Sequence, residues 1–301
     1  MKRVLLLAAG LAVLVGAALV AAQAAGPKAG KARQLLVTVA ERPADPLAHP
    51  LTAVEFDVRV GKQPAEVLRV YQPEERPVRL ALLIDDSAGT QVAGSLDELG
   101  SFLRSLPRGS EVMIAYLRRG KLVTAQAFTS NLEGAANSLR APSGFAGAGP
   151  ADLAQLVYEV LRLFPQPRTF GDAARAQILY LGEGTNADPH TDIPLHRTLQ
   201  QARARGIPVW AIHVHGAEAF SSQPAGGAAA NQEAYLDWLT RETGGMTFGL
   251  SLHSLSLDPY LRRFRAMLDR QYLVEIDSPD GDGPLRIRIR RQQLDLLYPR
   301  R

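Results

Sequence analysis

Asp85, Asp86 and Ser87 stand side by side at the end of the apolar run Leu80–Ile84, and Gly89 follows two residues on. Two carboxylates and a hydroxyl there could hold a divalent cation through oxygen. They could also present Ser87 as a nucleophile on a strand-to-helix turn, or satisfy the loop's own amides. Glu183 has the same placement after the run Ala176–Leu181, next to Gly184. His213 and His215 lie two apart near the end of Ile207–Val214, so in a strand both project to one face. With His190 or Glu183 they offer the donors of an imidazole-rich metal site, or a surface that titrates between pH 5 and 8.

Other constellations are weaker. Asp86-Ser87-Ala88-Gly89 matches the later part of a Gly-x-Ser-x-Gly elbow. The first glycine is replaced by Asp85, whose side chain would crowd the strained turn, and no His-Gly-Gly segment lies upstream. Asp277, Asp280 and Asp282 suggest calcium, but the 12-residue loop and its closing glutamate are missing. The glycines of Ser143–Gly149 lack a following Gly-Lys-Ser/Thr, so they form no phosphate loop. Arg286, Arg288 and Arg290 are the outward face of an alternating strand and, with Arg291, make a basic stripe.

The elements that must position these groups can be read from periodicity. Leu80–Ile84 is short and continuously apolar, and Ala176–Leu181 and Ile207–Val214 are largely so, as strands buried on both faces of a parallel sheet are. Helical spacing joins Leu96, Leu99, Phe102, Leu103 and Leu106, behind an expected capping box at Ser95-Leu96-Asp97-Glu98. Leu153, Leu156, Val157, Val160, Leu161 and Phe164 give the strongest helix pattern. Further helices are expected over Leu132–Leu139, Asp192–Arg205 and Asn231–Thr243, with Asn231 as a cap. The last should start with Asp258 as N-cap and Pro259 at the first helical position. Glu111–Leu117 and Leu122–Phe128 should form a hairpin around Arg119-Gly120. Ala217–Ala230 reads as a loop.

Outside this alternation lie strands of another kind. Val54, Phe56, Val58 and Val60 alternate with Glu55, Asp57 and Arg59, and Leu35–Val39 and Glu66–Val70 are shorter candidates. Near the other end, Tyr272, Val274 and Ile276 and then Leu285, Ile287 and Ile289 alternate in the same way, with Ser278–Pro284 as the expected turn. Each strand leaves one face to be covered, so the two sets should pair as a small β module.

Hydrophobic content of 46% with 21% charged residues describes a globular chain with a real core. Net charge is only +4, and removing Lys2 and Arg3 would nearly balance basic against acidic residues, which is not the footprint of a nucleic-acid binder. Lys2-Arg3, the apolar stretch Val4–Ala22 and the small-residue site Ala22-Gln23-Ala24 read as an export signal. If left uncleaved, that stretch could serve as an anchor. The chain has no cysteine, so an oxidising compartment places no disulfide in it. The expected location is secreted or periplasmic, in a bacterium.

The order of elements over about Pro77–Arg270 resembles the von Willebrand factor type A domain. LLIDDSAG, AQILYLGEG, GIPVWAIHV and ETGGMTFG carry the resemblance. The flanks LTAVEFDVRVGKQPAEVLRV and QYLVEIDSPDGDGPLRIRIR look like those of bacterial secreted proteins of this type. The resemblance implies a metal-ion-dependent adhesion site at the sheet top, suited to magnesium, that leaves one position for a partner's carboxylate. Residue by residue, Asp85 and Ser87 match its first loop. Gly89 replaces the second serine, Pro150 falls where a threonine belongs, and Glu183 stands for the third-loop aspartate.

The expected architecture is therefore α/β, doubly wound, with a mostly parallel sheet, helices on both faces and a β module from the two ends. The expected divisions are a signal at 1–24, a linker at 25–34, β strands at 35–76, the von Willebrand A-like domain at 77–270 and a C-terminal β hairpin at 271–301. The expected function is non-enzymatic binding of a protein partner through Asp85, Asp86, Ser87, Glu183, His213 and His215, with no cofactor and an incomplete metal site. One alternative is a magnesium- or manganese-dependent adhesion module using Asp85, Ser87 and Glu183. The other is a serine hydrolase with Ser87.

Overall fold

The computed structural model describes residues 31–40, 50–142, 152–166, 173–214, 226–249, 256–278, 283–290 and 294–300. The signal segment, Ser143–Gly149, Pro150, His215, Asp280, Asp282 and Arg291 lie outside them. The strands, in chain order, are β1 Lys31–Ala40, β2 Phe56–Val60, β3 Gln63–Tyr71, β4 Val78–Asp85, β5 Glu111–Arg118, β6 Lys121–Thr129, β7 Arg175–Gly182, β8 Val209–His213, β9 Thr247–Phe248, β10 Gln271–Ser278, β11 Leu285–Ile289 and β12 Asp295–Leu297. The helices are α1 Gly89–Gly94, α2 Leu96–Arg104, α3 Leu132–Asn137, α4 Leu153–Leu163, α5 Ile193–Arg205, α6 Gly226–Thr243 and α7 Asp258–Leu268.

One sheet has the order β6-β5-β4-β7-β8-β9. Every pairing in it is parallel except β5 with β6, the hairpin whose turn residues Arg119 and Gly120 both take positive φ. The chain starts at β4, winds outward through β5 and β6, then returns across β4 to β7 and continues the other way. Winding reverses between β4 and β7, which is where doubly wound sheets open a crevice at their carboxyl ends. The apolar run of β4 divides between two cores. Leu80, Leu82 and Ile84 pack with α2, α3 and α7, while Ala81 and Leu83 pack with α4, α5 and α6. The expected α/β, doubly wound architecture, with a mostly parallel sheet and helices on both faces, is thus the one observed.

The second sheet is antiparallel, with the order β11-β2-β3-β10-β1-β12. It curls around its own core of Leu35, Val37, Phe56, Val58, Val274, Ile276, Ile287 and neighbours. Strands from the two ends of the chain pair as expected, but the C-terminal hairpin does not form. β10 lies between β1 and β3, and β11 pairs with β2. The burial of each strand explains this. Tyr272, Leu273, Val274 and Ile276 are all buried, so β10 needs cover on both faces and a neighbour on each side. β11 alternates buried isoleucines with exposed arginines and suits a sheet edge.

Several local expectations are corrected. Val54 belongs to a 3-10 turn, Ala53–Glu55, and is 72% exposed, so strand β2 starts only at Phe56. β1 begins at Lys31, inside the stretch expected to be linker. α6 starts at Gly226, and Asn231 is an interior residue, because the run of alanines is itself helix-forming. The Ser95 side chain makes no cap on α2. Glu98 instead reaches across to α7, accepting from the backbone N–H groups of Leu257 and Asp258 at 2.7 and 2.9 Å and from Ser256 Oγ at 2.9 Å. Leu257 is therefore the N-cap of α7, and Asp258 and Pro259 fill its first turn.

The two sheets meet at a polar joint. Gln177 of β7 and Gln271 of β10 exchange amide hydrogen bonds at 3.3 and 3.2 Å, and Gln271 also donates to Thr38 Oγ1 of β1. Beside them Arg175, 1% exposed, donates to the carbonyls of Arg76, Leu268 and Gln271. Burial lowers its pKa to about 10, so it remains cationic at neutral pH and the carbonyls solvate the charge.

Candidate functional site

The carboxyl ends of β4, β7 and β8 lie side by side and bring together three of the loops singled out in the sequence. β4 delivers Asp85, then Asp86, Ser87 and Ala88 make a 3-10 turn into α1. β7 delivers Gly182 and Glu183, and β8 ends at His213, which lies in register with Gly182.

Asp85 is 1% exposed and points inward. Its Oδ2 accepts the hydroxyl of Tyr180 at 2.9 Å, and the same hydroxyl oxygen accepts the N–H of Gly184 at 3.1 Å. One phenol thus joins the first loop to the third. Tyr180 reaches Asp85 by passing over Gly182, two residues along the same face of β7. A Cβ on Gly182 would lie 2.3 Å from that hydroxyl oxygen and 2.6 Å from Asp85 Cβ, so only glycine admits the crossing. Burial, followed by the negative charge of Asp85, pushes the Tyr180 pKa well above the usual phenol value, and it stays a donor.

The neighbouring groups are placed differently. Asp86 is buried and pairs with Arg118 at 3.3 Å. Glu183 is half-buried at the loop start. His213 is 3% exposed, as buried as Asp85 and Asp86. His190 lies on the loop after β7 with its ring edge-on to Trp238 at 4.5 Å. Further along, Asp192 caps α5 through the Leu195 N–H and accepts the Tyr235 hydroxyl at 2.6 Å.

A magnesium ion needs about six oxygens in near-octahedral array. Here the Asp85 carboxylate is already turned toward a phenol donor, and Gly89 brings no side-chain oxygen. Among the described residues no three His, Cys, Asp or Glu side chains gather as a cation would require. The donors among the described residues fall short of that set.

Sequence reasoning missed Tyr180 and Arg118. Tyr180 was hidden inside an apolar run, where its ring is core and only its tip is polar. The available signal was spacing, with a tyrosine two residues before a glycine at a strand end.

No family model matches the sequence, and neither does any curated protein. Solved structures do resemble it in chain path. One is an aerotolerance-related membrane protein from Bacteroides fragilis with multiple mutations to serines, at 12% identity and a TM-score of 0.46, covering 64% of this chain and 98% of that one. Another is the conserved hypothetical protein BatB from Bacteroides thetaiotaomicron, at 13% identity and a TM-score of 0.44, covering 63% and 98%. Among the described residues no helix is long and apolar enough to cross a membrane.

Proposed function

We propose that this chain is a non-enzymatic, exported protein-binding module. Its partner surface is formed by the loops after β4, β7 and β8, which carry Asp86, Ser87 and Glu183, with Asp85 and His213 at the strand ends that lead into them. The observation that supports this most is the Tyr180–Asp85 hydrogen bond, which joins two of these loops through the protein's own side chains. On this reading the fold keeps an adhesion scaffold, and recognition rests on shape and polar complementarity. The protein acts outside the cytoplasm of a bacterium, secreted or periplasmic, or tethered by its N-terminal segment.

The test is capture of a partner from bacterial envelope extract by the full chain, with and without chelator, beside a Glu183→Lys variant. Capture that survives chelator and fails with the variant is expected. Capture that chelator abolishes, together with magnesium or manganese heat that vanishes in Asp85→Ala, would establish the metal-dependent alternative. Labelling by an activity-based serine probe that Ser87→Ala removes would make the chain a hydrolase instead.

A further inference from the structure

The two sheets end in the strands β6, β9, β11 and β12, and three of these are poor templates for another strand. β9 is two residues long and β12 three. β11 alternates buried apolar residues with the exposed Arg286 and Arg288, and charge along an edge deters further pairing. β6 is different. It runs nine residues, Lys121–Thr129, and after Lys121 it carries neither a charge nor a proline. Among the described residues β5 is its only strand partner.

The outer side of β6 is accordingly open. Val123 and Thr124 are neighbours on opposite faces of the strand and both are exposed, Val123 at 39%. Gln126 Nε2 donates to the Ala127 carbonyl at 3.0 Å, so a side chain, not a strand, meets that edge carbonyl. Register shifts against β5 between Thr124 and Thr129 bend the strand, the one blunting device it has beside Lys121.

Backbone N–H and C=O groups along an open strand select an extended polypeptide as occupant. The composition says which. A charged partner strand finds no opposite charge on Leu122–Thr129. The run is instead complementary to itself. Antiparallel pairing of two copies about an axis at Ala125 sets Val123 opposite Ala127 and Lys121 opposite Thr129, so no like charges meet across the ladder. Two-fold pairing of a patch with itself is also the commonest way for chains to form a closed oligomer. We infer that β6 is a homotypic edge, through which two copies of this chain join their α/β sheets into one. The inference does not rest on the loops after β4, β7 and β8, so either reading can fail without the other.

The chain has no cysteine, so single substitutions read the pairing directly. Residues facing each other across an antiparallel ladder have Cα atoms about 4.5–5.5 Å apart, within reach of a disulfide. The full chain is oxidised as Thr124→Cys, Ala125→Cys or Gln126→Cys, with Arg288→Cys on β11 as the reference, and the disulfide-linked dimer is followed on non-reducing gels. At least one β6 position should form the dimer about tenfold faster than Arg288→Cys or more, because pairing holds the two thiols together. In the background of the fastest position, Val123→Lys/Ala127→Lys should lower the rate to that of the reference. It sets lysines opposite one another at exposed sites and should leave thermal unfolding unchanged. Mixing that chain with its Val123→Glu/Ala127→Glu counterpart should restore the rate. No β6 position faster than Arg288→Cys, an unchanged rate in the lysine chain, or no recovery in the mixture would overturn the inference. If the first of these came with loss of envelope-extract capture in Val123→Lys/Ala127→Lys, the edge would belong to a strand of another protein instead.

Discussion

The hydroxyl of Tyr180 donates to Asp85 Oδ2 at 2.9 Å and accepts from the Gly184 N–H, so one side chain of β7 ties the end of β4 to the loop beyond Gly182. This is the boundary between the two windings of the sheet, where the pairing of β4 with β7 ends at Ile84 and Leu181. Tyr180→Phe keeps the ring and removes the tie. Deleting a buried hydrogen bond to a carboxylate should destabilise the fold by about 1–3 kcal/mol. Hydrogen exchange should also accelerate at Gly184 relative to the β4 amides. Urea unfolding and amide exchange check this. A variant as stable and as protected as the wild type would mean that the two loops hold their places independently.

The same phenol gives a pH dependence. Burial first, then neighbouring carboxylates, raise Tyr180 and Tyr235 above the ordinary phenol value. In the unfolded chain both ionise near pH 10, while the folded protein keeps their protons. Above that pH the unfolded state binds fewer protons, so stability is full below about pH 10 and falls as pH rises past it. Urea midpoints measured from pH 7 to 11 should be level and then decline. Tyr180→Phe or Tyr235→Phe should each remove up to about 1.4 kcal/mol per pH unit from the alkaline slope.

Gly182→Ala probes the crossing of Tyr180 directly. The added methyl would meet the Tyr180 hydroxyl oxygen at 2.3 Å and Asp85 Cβ at 2.6 Å, in a site with no slack. Overpacking of this kind costs about 1–3 kcal/mol. Gly94→Ala, where nothing lies within 4 Å of the new methyl, is the control and should be neutral or slightly stabilising. Thermal unfolding should therefore come earlier in Gly182→Ala and stay level or come slightly later in Gly94→Ala.

The central strands were legible because burial on both faces leaves a run of apolar residues that little else produces. Leu80–Ile84 needed only that rule, and Ala176–Leu181 follows it apart from Gln177. What escaped was set by partners distant in sequence. That β10 and β11 are separated by β3 and β2 depends on how many faces each strand buries, and local alternation reports this only in part. Glu98 sits at the right spacing for a local capping box, yet its carboxylate is spent on α7, about 160 residues on. At the site, Asp85 and Glu183 could be found as oxygens at strand ends. Their state could not, because Tyr180 looks like one more core residue until the fold carries its hydroxyl over Gly182.

Glu98 offers a test of that longer-range cap. It accepts two backbone N–H groups at the start of α7, where the helix dipole also favours negative charge. Glu98→Ala should cost about 1–2 kcal/mol. Glu98→Gln, which keeps an acceptor but not the charge, should cost less. Ser95→Ala should be nearly silent, since the Ser95 side chain caps nothing. Denaturant titrations that reversed this order would restore the local box on α2 as the interaction that matters.

The joint between the sheets can be resolved by a double-mutant cycle on Gln177 and Gln271. Each amide satisfies the other inside a buried contact, so removing one leaves its partner without part of its hydrogen bonding in a place water does not reach. Gln177→Leu and Gln271→Leu should each destabilise by about 1–3 kcal/mol. The double variant should cost less than the sum by about 1 kcal/mol or more, because two apolar groups facing each other leave fewer polar atoms unsatisfied. Gln271 also holds Thr38, so the Gln271 single variant should be the worse of the two. The β module is built on β1 and β10, and the α/β sheet reaches it here through β7. A coupling energy near zero would mean that Arg175 and its carbonyls alone set how the two sheets sit together.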